Sequence, residues 1–239
     1  MRVNYNYIKV ILLILFVGFL YSFSAIRNSD RKVLEPQINF VGDDNLFITH
    51  ANVSKLLIQN QQSVTNKRKD IIDLNQLETA LNSNPMIKQA QVSMTVEGLI
   101  TAEIEQKKPI ARVSTNASYY IDEEGSFMPL STNYTARVPL VTGSIDRNDL
   151  ANVYKVAKKV QEDEFLMKHV IVIHQNQDKT IDLKLRSHDF TVHVGSLKSL
   201  DKKMNNLKAF YQKGSKDKAL DNYKLVNLKF DKQVICTKK

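Results

Sequence analysis

From position 10 to position 26 the chain carries no charge and almost nothing polar: Val10-Ile-Leu-Leu-Ile-Leu-Phe-Val-Gly-Phe-Leu-Tyr-Ser-Phe-Ser-Ala-Ile26. No comparable run recurs in the remaining sequence. At helical rise it spans about 25 Å, and with its flanks it can cross a hydrocarbon layer of roughly 30 Å once. Val10, Leu13, Phe16, Leu20 and Ile26 mark this membrane anchor along its length, and Tyr7 and Tyr21 suit the two interfaces. The competing reading is a cleaved signal peptide, with Arg2 and Lys9 as its charged region and Ser22-Phe-Ser24 as its cleavage site. The length of the run favours the anchor. Arg2 and Lys9 before it, and Arg27, Arg31 and Lys32 after it, leave the orientation open by charge. A leading segment of residues 1–9 is short enough to stay cytoplasmic while the body is exported. No cysteine follows the run closely, which excludes a lipoprotein.

Beyond a linker at residues 27–32 the pattern becomes that of a folded module, residues 33–107. Residues 33–41 are extended around Pro36, and Gly42-Asp-Asp-Asn45 turns the chain. Thr49 is the cap of a helix over 51–59, with Val53, Leu56 and Leu57 on one face, and residues 59–69 form a polar loop. Asp73 followed by Gln76 is a capping-box pattern, opening a second helix whose stripe is Leu74, Leu77 and Leu81; Asn84-Pro85 stops it. Two alternating strands follow. Val92, Met94 and Val96 share one face, Glu97-Gly98 turns the chain, and Ile100, Ala102 and Ile104 line the return strand, with Thr101, Glu103 and Glu105 outward. The order strand, helix, helix, strand, strand predicts two helices covering one face of a small sheet.

Lys107-Lys-Pro109 marks a boundary, and residues 108–239 form a β-rich second domain with two helices, so the fold class is α+β. Strands are predicted at 110–113 and 118–121, a turn at Asp122-Glu-Glu-Gly125, irregular chain at 129–138, and an apolar Leu140-Val141 before Gly143. Leu150, Val153, Ala157 and Val160 predict a helix over 147–163. Residues 169–174 suit a strand covered on both faces; Ile181, Leu183, Leu185 and Phe190, Val192, Val194 alternate as half-buried strands. Ser196 caps a helix bearing Leu197, Leu200, Met204, Leu207 and Tyr211, which Gly214 ends. Two last strand-like pieces cover 224–230 and 233–237. In the first, Val226, Leu228 and Phe230 share one face and Asn227 and Lys229 the other.

Composition adds charge asymmetry to this picture. Hydrophobic content of 43% with five prolines is that of a globular chain. The net charge of +9 is concentrated at the end: residues 197–239 hold 12 basic and 4 acidic side chains, residues 27–196 hold 20 and 21. Such an end suits anionic lipid or an acidic partner. It does not suit nucleic acid, because the charge is nearly all lysine and no recognition motif accompanies it.

The chemistry-bearing residues point to no reaction. There is no phosphate-binding glycine loop, no metalloprotease helix motif and no serine elbow. His169/His174 and His188/His193 are five apart, which puts the members of each pair on opposite faces of a straight strand. Asp122-Glu-Glu124 beside Gly125 is ordinary turn composition. The single cysteine, Cys236, excludes an intramolecular disulfide and a paired-cysteine zinc site, and reads as a small buried hydrophobe. The ending Thr237-Lys-Lys239 lacks the aliphatic residues of a prenylation box. Glycosylation-type triplets at Asn52, Asn116 and Asn133 are what an Asn-, Ser- and Thr-rich chain produces by chance. The expectation is therefore no enzyme, no cofactor and no metal, with function carried by surfaces.

Five short motifs, in order, resemble those of the bacterial cell-division protein FtsQ (DivIB) family. Ile87-Lys-Gln-Ala-Gln-Val-Ser-Met-Thr95 is similar to the family's strand after the second helix, and Glu103-Ile-Glu-Gln-Lys-Lys-Pro-Ile-Ala-Arg112 to its domain junction. Tyr120-Ile-Asp-Glu-Glu-Gly125 resembles its hairpin, Pro139-Leu-Val-Thr-Gly143 the segment that follows, and Val226-Asn-Leu-Lys-Phe230 its closing strand. Lys107-Lys108 stands for the usual Arg, Asn227 for Asp and Phe230 for Tyr.

The resemblance implies a POTRA-like first module and a single-pass protein of the bacterial inner membrane. Its body would be periplasmic and would gather division proteins at the septum. It also implies strand addition at the last strands, with FtsB/FtsL-like bitopic coiled-coil proteins as partners. On that basis Val226, Asn227, Leu228, Lys229 and Phe230 are the expected partner-binding residues. Residues 227–230 would form the edge, Lys229 an electrostatic contact, and Val226, Leu228 and Phe230 would be buried beneath. The basic helix at 197–213 would flank the same groove. Two other readings compete: a POTRA-containing accessory factor for outer-membrane protein insertion or secretion, and a membrane-tethered cell-wall enzyme. A C-terminal β-barrel pattern would mark the first, and no residue constellation recommends the second.

Overall fold

The computed structural model describes residues 5–29, 31–43, 45–61, 68–115, 117–230 and 233–239. The start of the leading segment (1–4), most of the expected polar loop (62–67) and the triplet at Asn116 lie outside the described residues. Helix α1, Tyr5–Ser29, extends the expected run at both ends. Its apolar stretch, Tyr7–Asn28, is nowhere buried in the protein, and Val10, Leu13, Phe16, Leu20 and Ile26 are all exposed. At 22 residues that stretch is about 33 Å long, enough to cross a bilayer core.

The chain forms two compact units, Met1–Gln106 and Lys107–Lys239. In the first, α1 is followed by strand β1 (Gln37–Val41), helices α2 (His50–Gln61) and α3 (Leu74–Asn82), and strands β2 (Ile87–Met94) and β3 (Ile100–Gln106). The strand order is β1-β3-β2, with β1 parallel and β2 antiparallel to β3. Each helix starts where its cap allows. The Thr49 hydroxyl accepts from Asn52 N (3.3 Å) and the Asp73 carboxylate from Gln76 N (3.1 Å). Val53, Leu57, Leu77 and Leu81 then bury against Ile100, Ala102 and Ile104. Val96 does not join the β2 face: the strand ends at Met94, Thr95 N donates to Leu99 O (2.9 Å), and Val96 sits exposed in the turn.

Gln106, the last residue of β3, is buried and uses both ends of its amide. Its Oε1 accepts from Phe47 N (3.0 Å) and Ile48 N (3.1 Å), and its Nε2 donates to Ile48 O (2.9 Å). The segment entering α2 is thereby tied to the end of the central strand.

In the second unit the strands are β4 (Pro109–Ser114), β5 (Ser118–Asp122), β6 (Phe127–Met128) and β7 (Leu140–Gly143), then helices α4 (Ala151–Gln161) and α5 (Glu164–His169). Strands β8 (Val170–Gln175), β9 (Ile181–Leu185) and β10 (Thr191–Gly195), helix α6 (Leu200–Lys216), and strands β11 (Tyr223–Asn227) and β12 (Ile235–Lys238) complete it. They form one nine-stranded sheet in the order β12-β11-β10-β9-β8-β7-β4-β5-β6. Adjacent parallel strands need a crossover, and the helices supply it: α4 and α5 join β7 to β8, and α6 joins β10 to β11. Val153, Ala157 and Val160 of α4 and Met204 and Leu207 of α6 share one core with Val141, Ile173, Leu183, Val192 and Val226.

Four expectations are corrected here. A third, short helix, α5, stands beside the two foreseen, because the Asp163 carboxylate accepts from Leu166 N (3.2 Å) and starts a new helix. Helix α4 begins at Ala151 and not near 147, because residues 146–149 close a turn in which Asn148 N donates to Asp146 Oδ1 (2.9 Å). Helix α6 begins four residues after Ser196, behind a left-handed Ser199 (φ 56°), and it continues past Gly214. Gly214 is a packing residue: a Cβ there would lie 2.4 Å from Leu220 Cδ2. Strand β8 is covered on one face only, since Ile171 is exposed and Val172 half-buried.

Two expectations follow. Gln106→Ala removes three hydrogen bonds and strands buried amides, so it should lower the unfolding free energy by about 2–4 kcal/mol in denaturant titration. His169 packs between the Phe165 (4.5 Å) and Tyr211 (4.7 Å) rings; its pKa is held below the ordinary histidine value by burial first, then by the charges of Lys168, His188 and Arg186. The folded state thus prefers neutral His169, a contribution present above the ordinary value and lost as pH falls through the lowered one. The unfolding midpoint of His169→Phe should therefore gain on the parent as pH drops from about 7.5 to 5.5, an interval spanning the ordinary histidine value.

Candidate partner-binding edge

A strand with a neighbour on one side only leaves half of its backbone N–H and C=O groups free, and that is the chemistry a surface-acting protein offers. Among the described residues, sheet order gives four such strands, β1 and β2 in the first unit and β6 and β12 in the second.

Two of the four are blunted. The outward backbone of β2 is occupied by α3: Asn82 accepts from Ala90 N (2.7 Å) and donates to Ala90 O (3.2 Å), and Glu78 accepts from Val92 N (3.0 Å). Strand β6 has two residues, Met128 is buried, and the Arg147 guanidinium lies 3.8 Å from the centre of the Phe127 ring. Strand β1 is parallel to β3; Leu34 before it and Val41 at its end are exposed.

Strand β12 closes the large sheet. It pairs antiparallel with β11 through Asn227↔Ile235, Val226↔Cys236 and Leu225↔Thr237. Cys236 turns into the core, and burial pushes its thiol pKa up, which makes it a poor nucleophile. Ile235 is 43% exposed, Lys238 and Lys239 are exposed beyond it, and Phe230 is 44% exposed between the two strands. Alternate residues of β12 present their backbone groups away from β11.

The expected edge at residues 227–230 is therefore one strand too far in. Strand β11 is enclosed between β10 and β12, parallel to the first and antiparallel to the second. Val226 and Leu228 are fully buried, and Leu228 N donates to His193 O (2.8 Å). Asn227 ends the strand: its side-chain oxygen accepts from Lys229 N (2.9 Å), an Asx turn that takes Phe230 out of alternation. Phe230 is consequently exposed and not beneath the edge, while Lys229 is exposed as expected. Helix α6 packs on the core face of the sheet.

The other singled-out residues regroup across strands. His174 and His193 both lie opposite Asp182; His193 Nδ1 is 2.6 Å from Asp182 Oδ1, and His174 Nδ1 is 2.9 Å from Thr142 Oγ1. His169 and His188 both touch the Tyr211 ring. Asp122 is 1% exposed and takes Lys107 Nζ at 2.7 Å, with Glu124 N and Ser126 N on its other oxygen. The lysine of the junction motif and the aspartate of the hairpin motif are thus one part-buried pair, in which a half-buried lysine neutralises a buried carboxylate. The basic end is smaller than the count suggests. Lys203 is buried, donating to Val194 O (2.9 Å) and Ser196 O (2.7 Å), and Lys208 pairs with Asp163. Lys213, Lys216, Lys218, Lys224 and Lys238 remain exposed.

Residues 108–237, more than half of the chain and nearly all of the second unit, match the model of the FtsQ/DivIB, C-terminal related family. The chain belongs to the FtsQ/DivIB family. A POTRA-like domain model matches residues 39–105, the stretch from β1 to β3. No curated protein matches the chain. For an FtsQ/DivIB-family protein with a POTRA-like module, a division-associated scaffold tethered by α1 is the role these matches suggest. Families of this kind are generally non-catalytic. The matched second domain reaches residue 237, so it includes β11 and all but the last residue of the outer strand β12. The residues that sequence reasoning missed, Ile235 and the backbone of β12, carried a signal in the apolar run Val234-Ile-Cys236, which marks a strand but not its place in the sheet.

Substitutions separate the two faces of the closing segment. Leu228→Ala should lower the unfolding free energy by about 2–5 kcal/mol, and Phe230→Ala by less than about 1 kcal/mol. Equal losses would contradict the exposed placement of Phe230.

Proposed function

We propose that this protein is a non-catalytic, single-pass scaffold of the bacterial division complex. It binds a partner by strand addition to β12 and so gathers division proteins at the septum. Helix α1 spans the inner membrane with the amino terminus cytoplasmic and both units periplasmic. The observation that supports this reading is the free outer edge of β12 at the end of a nine-stranded sheet, in a chain of this family. An added strand satisfies the unpaired groups of β12, exposed Ile235 and Phe230 supply apolar contact, and the partners suited to it are FtsB/FtsL-like bitopic coiled-coil proteins. The exposed lysines of α6, β11 and β12 favour acidic partner segments, and anionic lipid is the second ligand that charge suits. Tethering raises the effective concentration of the edge toward partners held in the same plane.

Proline scanning tests the edge. Successive residues alternate in direction, so one of Cys236→Pro and Thr237→Pro deletes an N–H that points away from β11. The variant that keeps the parent's unfolding midpoint should lose the FtsB/FtsL-like partner in pull-downs, and a fluorescent fusion of the parent should sit at mid-cell. Full partner binding by both proline variants would sink strand addition at β12; uniform envelope staining would sink the division role.

A further inference from the structure

The nine-stranded sheet has a notch. Leu140, the first residue of β7, lies opposite Arg112 of β4 and Val172 of β8. Strands β4 and β8 begin earlier, at Pro109 and Val170, so their first residues run past the start of β7. Residues 137–139 occupy that space without forming a strand. Pro139 lacks an N–H to donate to β8, and its carbonyl is taken by Arg112 N (2.9 Å). What remains is an open cavity of about 420 Å³, within the range of small-ligand and peptide side-chain pockets.

Its lining is apolar below and cationic at the rim. Ile110, Val160 and Val170 are buried in the floor; Met167 (57% exposed) and Ile171 (37%) stand open to solvent. Arg137 and Arg186 also line it, and among the described residues no aspartate or glutamate does. Both arginines are exposed, and among the described residues neither guanidinium is held by a carboxylate. They flank the start of β8 from opposite sides, Arg137 on the line of β7 and Arg186 just past Leu185, which pairs with Val170. Two strand spacings separate those lines, on the order of 10 Å.

We infer that this notch is a second docking site, distinct from the β12 edge, for an extended acidic peptide segment that places an apolar side chain between two carboxylates on one face. Residues i, i+2 and i+4 of an extended chain share one face, so carboxylates at i and i+4, about 13 Å apart along the backbone, converge on the two arginines through their side chains while the apolar residue at i+2 reaches the floor. Each guanidinium can take a carboxylate in paired hydrogen bonds. A fatty acid or other single-headed amphiphile engages one arginine and leaves the second without a partner, so the spacing favours a peptide.

The test uses the full chain in nanodiscs of neutral phosphatidylcholine and a fluorescein-labelled peptide with the core Asp-Ser-Leu-Ser-Glu. Fluorescence anisotropy should show saturable binding, weakened about tenfold or more when the core is Asn-Ser-Leu-Ser-Gln and in each of Arg137→Ala and Arg186→Ala. Met167→Glu, which adds a carboxylate to the wall, should abolish binding. Lys155→Ala, on α4 outside the cavity, should bind as the parent does. All four positions are exposed, so unfolding midpoints should stay at the parent value. Absence of saturable binding at millimolar peptide would overturn the inference. So would equal affinity for the acid and amide peptides, or binding retained by the double arginine variant. Laurate displacing the peptide at lower concentration, with only one arginine mattering, would also overturn it and assign the notch to an amphiphile.

Discussion

Parallel pairing between neighbouring strands governs the second unit. A strand cannot return beside its predecessor in the same direction through a tight turn, so β7 and β8, and β10 and β11, each need a long crossover, which helices supply here, while β4 and β7 are joined through β5, β6 and irregular chain. Both crossovers contribute to one core, which fixes that side of the sheet as the closed side. The opposite side keeps the row Thr142, His174, Asp182, His193 and Asn227 half-buried or more open, and the sheet grows sideways until β12 ends it.

The two units treat their edges differently. In the first, α3 lends Asn82 and Glu78 to the backbone of β2, closing that edge with side chains from a helix already needed for the core. In the second, the edge at β6 is kept to two residues, while β12 runs for four with exposed Ile235 and lysines beside it. An open strand is a hazard for indiscriminate pairing, and alternating exposed polar and charged residues such as Thr237 and Lys238 limit it. On the proposed reading, tethering by α1 adds a further restriction, since partners then approach in the membrane plane. The notch at the start of β7 follows from the same sheet by another route: a strand that begins late between two parallel neighbours leaves a gap that Pro139 cannot pair across.

Much of the local structure was legible in the residues. Thr49 and Asp73 cap the helices that follow them, Ile100, Ala102 and Ile104 alternate into the core, and the order of elements in the first unit matches the expected module. These features depend on neighbours within a few positions. The errors share a cause as well. Asn227 and Ser199 stop regular structure through one side-chain hydrogen bond or one left-handed backbone angle, which apolar periodicity does not register. Histidines judged by spacing within a strand met across strands instead.

The sequence by itself determined the uncharged anchor, the division into two units around Lys107, the apolar face of nearly every strand, and the family. An alternation of period two states which face of a strand is apolar, but the hydrogen-bonding edges lie at right angles to that face and leave no mark on it. Tertiary structure alone therefore decided that β11 is enclosed and that β12 stands at the end of the sheet. It also decided that Lys203 is buried while Phe230 is not, and that Lys107 and Asp122 form one pair. Each is set by which strand or helix arrives alongside, a contact between residues distant in sequence.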